Sequence, residues 1–529
     1  MESGARILLS KLKEMGVDKI FMVSGTDYAA FIEEKVRDPS LPDFIVVPHE
    51  ITAASAALGY SLAGKIGVVA LHTLPGTANA LGIIINAYTS RIPLIVIAGR
   101  SPYTEEGSTA SRNLRIHWTQ EARDQGEVVR QWVKWDFEIR RADQVEKAVN
   151  RAFQLAFSEP TGPVYLMIPR EVSVEKTERK YERPLATFSP GVREEDLIKA
   201  KKLIEESQNP VIITWRAGRK KEWFDSLKSF VDEVGIPVLH YVGEVVNYEG
   251  EMGVDYYDLS QSDLLIVVES EVPWIPKKVK VKGKVIRVDV DPSYSYIPFY
   301  GFPCDLCVQS TVSEFFSRLK VPEKKELKEK IKELHTVQEK KKAEEIEKLK
   351  KMKVIHPRLL SYYVGKLGLT IFNEYQFNPK YAHLTFGQYF ADPGFGHLGW
   401  ALGGGVGYSI ASGRKVVVTT GDGSFIFGVP EAFYYTVTTY GGDVLVVIYD
   451  NGGWLASAEA VDEVFPEGLA KAKRIYPGAD FRRYNIGETV KSFGGYFKLV
   501  ERPEDIEDSL KEALKYKLAV VQVIVERTR

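Results

Sequence analysis

An α/β chain of three doubly wound parallel-sheet domains is what this sequence predicts, and three observations predict it. Short apolar, β-branched runs alternate with helix-period segments along the chain, the pattern of parallel strands covered by helices. One strand, turn, helix, strand unit stands in both halves: GVVALHT, GTANALGIIINAYTS and PLIVIAG early, then KVVVTTGDGS, PEAFYYTVTTYGG and DVLVVIYDN late. A length of 529 residues is too great for one core and divides into about three domains.

Taken in order, the first domain covers 1–180. Its opening MESGARILLSKLKEMGV has a helical rhythm and lacks the apolar core and cleavage site of a signal peptide, so a cytoplasmic location is expected. The longest apolar stretch, LGIIINAYTSRIPLIVIAG, is broken by Asn86 and Arg91, and no membrane span is expected. The polar, aperiodic segment Arg170 to Gly191 closes this domain. A central domain over 190–325 repeats the theme with PVIITW, DLLIVVES and KVIRVDVDP. Residues 326–355 form a charged helical linker, with Glu and Lys three and four residues apart, before a last domain over 356–529. Lys plus Arg number 70 against 71 Asp plus Glu, so no global field draws the chain to nucleic acid or an anionic membrane, and a small-molecule partner is expected. Cys304 and Cys307 are the only cysteines; a structural zinc needs four ligands, and the pair reads as two incidental thiols.

The chemistry is concentrated at GDGSFIFGVPEAFYYTVTTYGGDVLVVIYDN, 421–451. KVVVTT reads as a buried strand, Pro430 as the first turn of a helix and Gly441-Gly442 as its end, with DVLVVIYD returning as the neighbouring strand. A right-handed crossover then sets Asp422 and Asn451 at the carboxyl ends of adjacent strands, where open α/β sheets bind ligands. A carboxylate and an amide carbonyl are hard oxygen donors suited to Mg²⁺. Gly423 permits close backbone approach, and Ser424 adds a hydroxyl where free N–H groups favour an anion. Two rival phosphate motifs fail: GYSLAGK, 59–65, is followed by Ile66 and lacks the P-loop hydroxyl, and GWALGGGVG, 399–407, is read as close helix packing.

GDGS followed by helix, strand and Asn resembles the signature of the thiamine diphosphate enzymes of the acetolactate synthase and benzoylformate decarboxylase superfamily, which also includes oxalyl-CoA decarboxylase. The resemblance runs through the chain and implies pyrimidine-binding, central and diphosphate-binding domains in that order. It implies Asp422, Asn451 and the Gly453 carbonyl as Mg²⁺ ligands, Gly423 and Ser424 at the diphosphate, and Gln376 at a further phosphate contact. Glu50, nine residues before Gly59-Tyr60, resembles the carboxylate that hydrogen-bonds N1′ of the aminopyrimidine; burial is expected to raise its pKa. Leu398 falls where the family sets a bulky apolar residue under the cofactor, and Gly396 where a glycine carbonyl meets its amino group. Dimers or tetramers with sites between subunits are implied.

His72 and Thr26 fall where benzoylformate decarboxylase carries an active-site His and Ser, although that enzyme's second His, from the central domain, has no counterpart in ESEVPWIPKK. Gln120 resembles the Gln of the acetolactate synthase F-Q-E loop, with Thr119 in place of the Phe. The central domain lacks that family's G-x-R-F-D-D-R stretch, which counts against FAD. The resemblance implies a lyase or transferase that decarboxylates a 2-oxo acid, with or without carboligation. A 2-hydroxyacyl-CoA or oxalyl-CoA lyase, a flavin-containing oxidase and a cofactor-binding pseudoenzyme stay open as alternatives.

Overall fold

The computed structural model describes residues 1–528. Three six-stranded sheets carry the chain, and every neighbouring pair within them is parallel. Their central strands, such as Val68–Leu71, Leu94–Arg100, Val416–Gly421 and Val444–Asp450, are buried on both faces, as expected of sheets covered by crossover helices.

The first sheet runs Asp43–Val46, Lys19–Val23, Val68–Leu71, Leu94–Arg100, Pro163–Pro169, Asp136–Glu138. The last runs Tyr389–Phe390, Thr370–Glu374, Val416–Gly421, Val444–Asp450, Leu518–Ile524, Tyr496–Val500. Numbered along the chain, both sheets have the order 2-1-3-4-6-5. The repeated unit in the sequence is therefore a repeated topology. The middle sheet, with strands between Pro210 and Gln309, has the order 3-2-1-4-5-6 of dinucleotide-binding folds. At its switch point, between Pro210–Thr214 and Leu264–Val268, Arg216 pairs with Glu244 and Glu271, and Arg219 with Glu159 and Glu269. Arg91, reaching in from the first sheet, pairs with Glu269 and Asp289.

The first and last sheets share one apolar core made by helices Glu50–Leu62 and Trp400–Ser412. Both helices are short of large side chains on the facing surfaces, so their backbones meet. A methyl group on Gly59 would overlap the Gly404 carbonyl, and one on Gly407 would overlap the Ala56 carbonyl. The expectation that the 399–407 glycines serve helix packing is met at these positions.

Helix Lys325–Leu349 spans 25 residues and buries only Leu327, Ile331, Ile346 and Leu349. One reading needs correction. Cys304 and Cys307 are joined as a disulfide, not two separate thiols. The helix read as starting at Pro430 and ending at Gly441-Gly442 is Pro430–Tyr440, and a short helix, Asp422–Phe427, precedes it, the two separated at Val429 with its left-handed φ of 53°. No helix among the described residues is long and apolar enough to cross a membrane.

Candidate active site

Strands Val416–Gly421 and Val444–Asp450 are neighbours with Gly421 opposite Tyr449, so the residues that follow leave the sheet side by side. Asp422 opens its helix and Asn451 follows its strand; both are buried, at 4% and 3% exposure. Asp422 Oδ1 and Asn451 Oδ1 have no hydrogen-bond partner among the described residues. A buried acceptor without a donor is costly, and two together mark a place shaped for a ligand. Burial, with the Asp450 charge adding to it, pushes the Asp422 carboxyl up to about 6, against the amides of Gly423 and Gly453 that lean toward it. A bound cation would reverse that shift.

The surroundings fit the same reading. Gly453 has φ 149° and its Cα faces the Ala479 carbonyl, leaving no room for a side chain. Gly423 lies against the Trp454 ring, and Ser424 is buried beside Glu374. Gln376, left-handed at φ 69°, stands near Gly421 with its buried Oε1 unpartnered among the described residues. All six residues expected at the metal and diphosphate end are thus gathered at one strand-end crevice. This donor set fits Mg²⁺, which takes few protein oxygens and completes its shell with water and phosphate.

The first sheet repeats the arrangement. Strands Lys19–Val23 and Val68–Leu71 pair with Val23 opposite Leu71, and Thr26, Asp27 and His72 lie just beyond their ends. His72 Nδ1 is 2.6 Å from Asp27 Oδ1. That hydrogen bond, together with the charges of Asp27 and Glu50 and a contribution from Gln120, raises the His72 pKa against the pull of burial. Thr26 Oγ1 meets His117 Nε2 at 3.1 Å. Glu50 opens helix Glu50–Leu62, half-buried, with Oε2 accepting from Asn79 Nδ2 at 3.1 Å. Glu50, Thr26, His72 and Gln120 therefore form one cluster, and Asp27 and His117 join it without having been singled out in the sequence.

The loop carrying Gly396 and Leu398 ties the two ends together. Asn86 Oδ1 accepts from the His397 amide at 3.1 Å and Asn86 Nδ2 donates to its carbonyl at 3.0 Å. Gly396 is left-handed at φ 73°, Leu398 is half-buried, and Ile51, next to Glu50, lies against Gly399. A further carboxylate, Glu374, accepts from the amides of Gly399 at 2.6 Å and Ala401 at 2.9 Å, and so caps the glycine-rich helix. Burial, with Asp392 nearby, pushes Glu374 up to about 8.

Two such strand-end clusters, one on each of two twin sheets, coincide with two family matches. The thiamine pyrophosphate enzyme N-terminal TPP binding domain matches residues 2–128, and the C-terminal TPP binding domain matches residues 370–523. The chain belongs to the thiamine pyrophosphate enzyme family. Among curated relatives of this thiamine pyrophosphate enzyme, the acetolactate synthase large subunit of Haemophilus influenzae is 23% identical over 99% of this chain and 95% of its own. The acetolactate synthase of Bacillus subtilis is 23% identical over 97% of this chain and 91% of its own. Among solved structures, benzoylformate decarboxylase from Polynucleobacter necessarius overlays with a TM-score of 0.80 at 20% identity, covering 100% of this chain and 99% of that one, a likeness of fold.

Proposed function

We propose that this thiamine pyrophosphate enzyme holds its cofactor with Mg²⁺ and decarboxylates a 2-oxo acid, with or without joining the product to a second carbonyl. The observation that carries the reading is the pair of buried, unpartnered oxygens on Asp422 and Asn451 at adjacent strand ends. In this reading those oxygens and the Gly453 carbonyl hold the metal, while Gly423, Ser424 and Gln376 receive the diphosphate. When bound, the cofactor supplies a nucleophilic carbon and a sink for the electron pair left by loss of CO₂. Glu50 would hold a proton toward the pyrimidine nitrogen, Gly396 would offer its carbonyl to the amino group, and Leu398 would pack against the cofactor. Thr26, His72 and Gln120 face the substrate.

A homodimer or homotetramer with sites shared between subunits belongs to the same proposal, which rests there on the family resemblance. Flavin or an ADP moiety at the middle sheet is disfavoured, because the arginines at its switch point are already engaged with glutamates.

The test is CO₂ release by protein reconstituted with thiamine diphosphate and Mg²⁺, across pyruvate, 2-oxobutyrate, branched-chain 2-oxo acids and benzoylformate, with products identified. Release with a preferred acid supports the reading, and the product separates decarboxylase from carboligase. No release from any acid overturns it in favour of an acyl-CoA lyase or a cofactor-binding pseudoenzyme, and a yellow preparation favours an oxidase.

A further inference from the structure

Asp27 and His117 have no role in the proposed chemistry, yet the fold is shaped around both. Asp27 is 4% exposed; its Oδ1 accepts from His72 Nδ1, and its Oδ2 is unpartnered among the described residues. Glycines flank the pair. A methyl group on Gly25 would overlap the His72 ring, and one on Gly99 would overlap the Asp27 carboxylate. The dyad occupies space that only glycine leaves free, so its geometry is fixed by backbone on two sides.

The neighbouring histidine is held in the opposite sense. The Asn113 amide donates to His117 Nδ1 at 3.2 Å, which leaves the proton of the neutral ring on Nε2, pointing at Thr26 Oγ1. Burial, with Arg170 and Arg112 adding to it, lowers the His117 pKa and keeps that ring neutral. With Nε2–H donating to Thr26, the Thr26 hydroxyl proton is released for another acceptor. With Nδ1–H donating to Asp27, the second nitrogen of His72 is the one left to the cleft.

We propose that Asp27 and His117 are positioning residues that turn His72 and Thr26 into a paired N–H and O–H donor site for the carboxylate of the 2-oxo acid. The inference rests on the proposed function for the identity of the acid, not for the coupling of the two pairs. Charged and titratable groups facing His72 are Asp27, Glu50 and His117, with Gln120 alongside; Arg112 and Arg170 lie beyond His117. Environments that push two adjacent histidines apart in this way are a mark of divided acid and base roles. Below its raised pKa His72 is an imidazolium; as pH rises through that value the charge, and the carboxylate's attraction, are lost.

The experiment is histidine titration by NMR on the full chain, with His72→Gln identifying the signal, beside pH profiles of 2-oxo acid turnover. Asp27→Asn is expected to lower the His72 pKa by about one to three units. It should move the basic limb of the kcat/KM profile to lower pH by the same amount, with activity near wild type at the acid end. His117→Phe is expected to lower kcat/KM by roughly tenfold or more at all pH values by loss of one donor, and His117→Gln, which keeps an N–H donor near Nε2, should restore most of it. An unchanged His72 titration in Asp27→Asn overturns the proposal, as does equal loss in His117→Gln and His117→Phe. If the wild type turns over no 2-oxo acid, the proposed function fails; the proposal then stands or falls on whether pyruvate shifts the His72 signal in wild type and not in Asp27→Asn.

Discussion

In the first sheet, the side chains beyond Val23 and Leu71 pair with one another, Asp27 Oδ1 with His72 and His117 with Thr26, although Asp27 Oδ2 keeps no partner among the described residues. In the last sheet, the side chains beyond Gly421 and Tyr449 do not, and Asp422 and Asn451 each keep a buried oxygen unpaired among the described residues. The strand order is the same in both. One topology thus gives two kinds of strand-end site, one whose side chains mostly pair within the protein and one that, on the proposed reading, is completed by a ligand. On that reading, the twin sheets divide the work: the last would anchor a cofactor through oxygens, and the first would arrange proton donors.

Asp422→Ala tests the ligand-completed site most severely. It should abolish Mg²⁺-dependent binding of thiamine diphosphate in titration calorimetry; unchanged affinity would mean the orphaned oxygen serves no metal. Glu50→Gln should retain binding while turnover falls by roughly 10² to 10⁴-fold, the range of a lost proton-transfer group, and an equal rate would remove Glu50 from the chemistry. Gly99→Ala probes the protein-completed site by driving a methyl group into the Asp27 carboxylate. A loss of about 1–3 kcal/mol in denaturant unfolding is expected from such overpacking, with no loss of Mg²⁺ binding.

The smallest effect concerns pH. Glu374 is held near 8 by burial, above its unfolded value, so its neutral form is favoured by folding and stability falls as pH rises from about 4.5 toward 8. Glu374→Gln should flatten that slope in thermal unfolding of the cofactor-free protein. A slope unaltered by the substitution would show that other carboxyls carry it.

Much of this was legible in the sequence for a definite reason. Asp422 and Asn451 could be placed because each stands directly at the end of a β-branched run, and parallel crossover geometry then brings them together. Asp27 obeys the same rule with His72, but it stands in no motif, and only the pairing of its strand with Val68–Leu71 brings the two together. His117 lies in a loop-borne helical turn, Ile116–Thr119, whose position depends on tertiary contacts that periodicity does not encode. Glu374 could not be read as a cap, since the amides it accepts from lie 25 and 27 residues on. The break at Val429 needed a backbone angle rather than a composition.

The glycine seam between helices Glu50–Leu62 and Trp400–Ser412 bears on how anything enters or leaves. Backbone resting on backbone leaves no side-chain layer to slide, so the first and last sheets cannot swing apart without dismantling their common core. Traffic then falls to the segments that follow the strand ends, 101–125 and 451–480, which hold only short helices such as Ile116–Thr119, Leu455–Val464 and Leu469–Lys473, rather than to a hinge between sheets. Substrate admission becomes a matter of loop rearrangement over a rigid floor, and substitutions that stiffen those loops should slow product departure before they touch the chemistry.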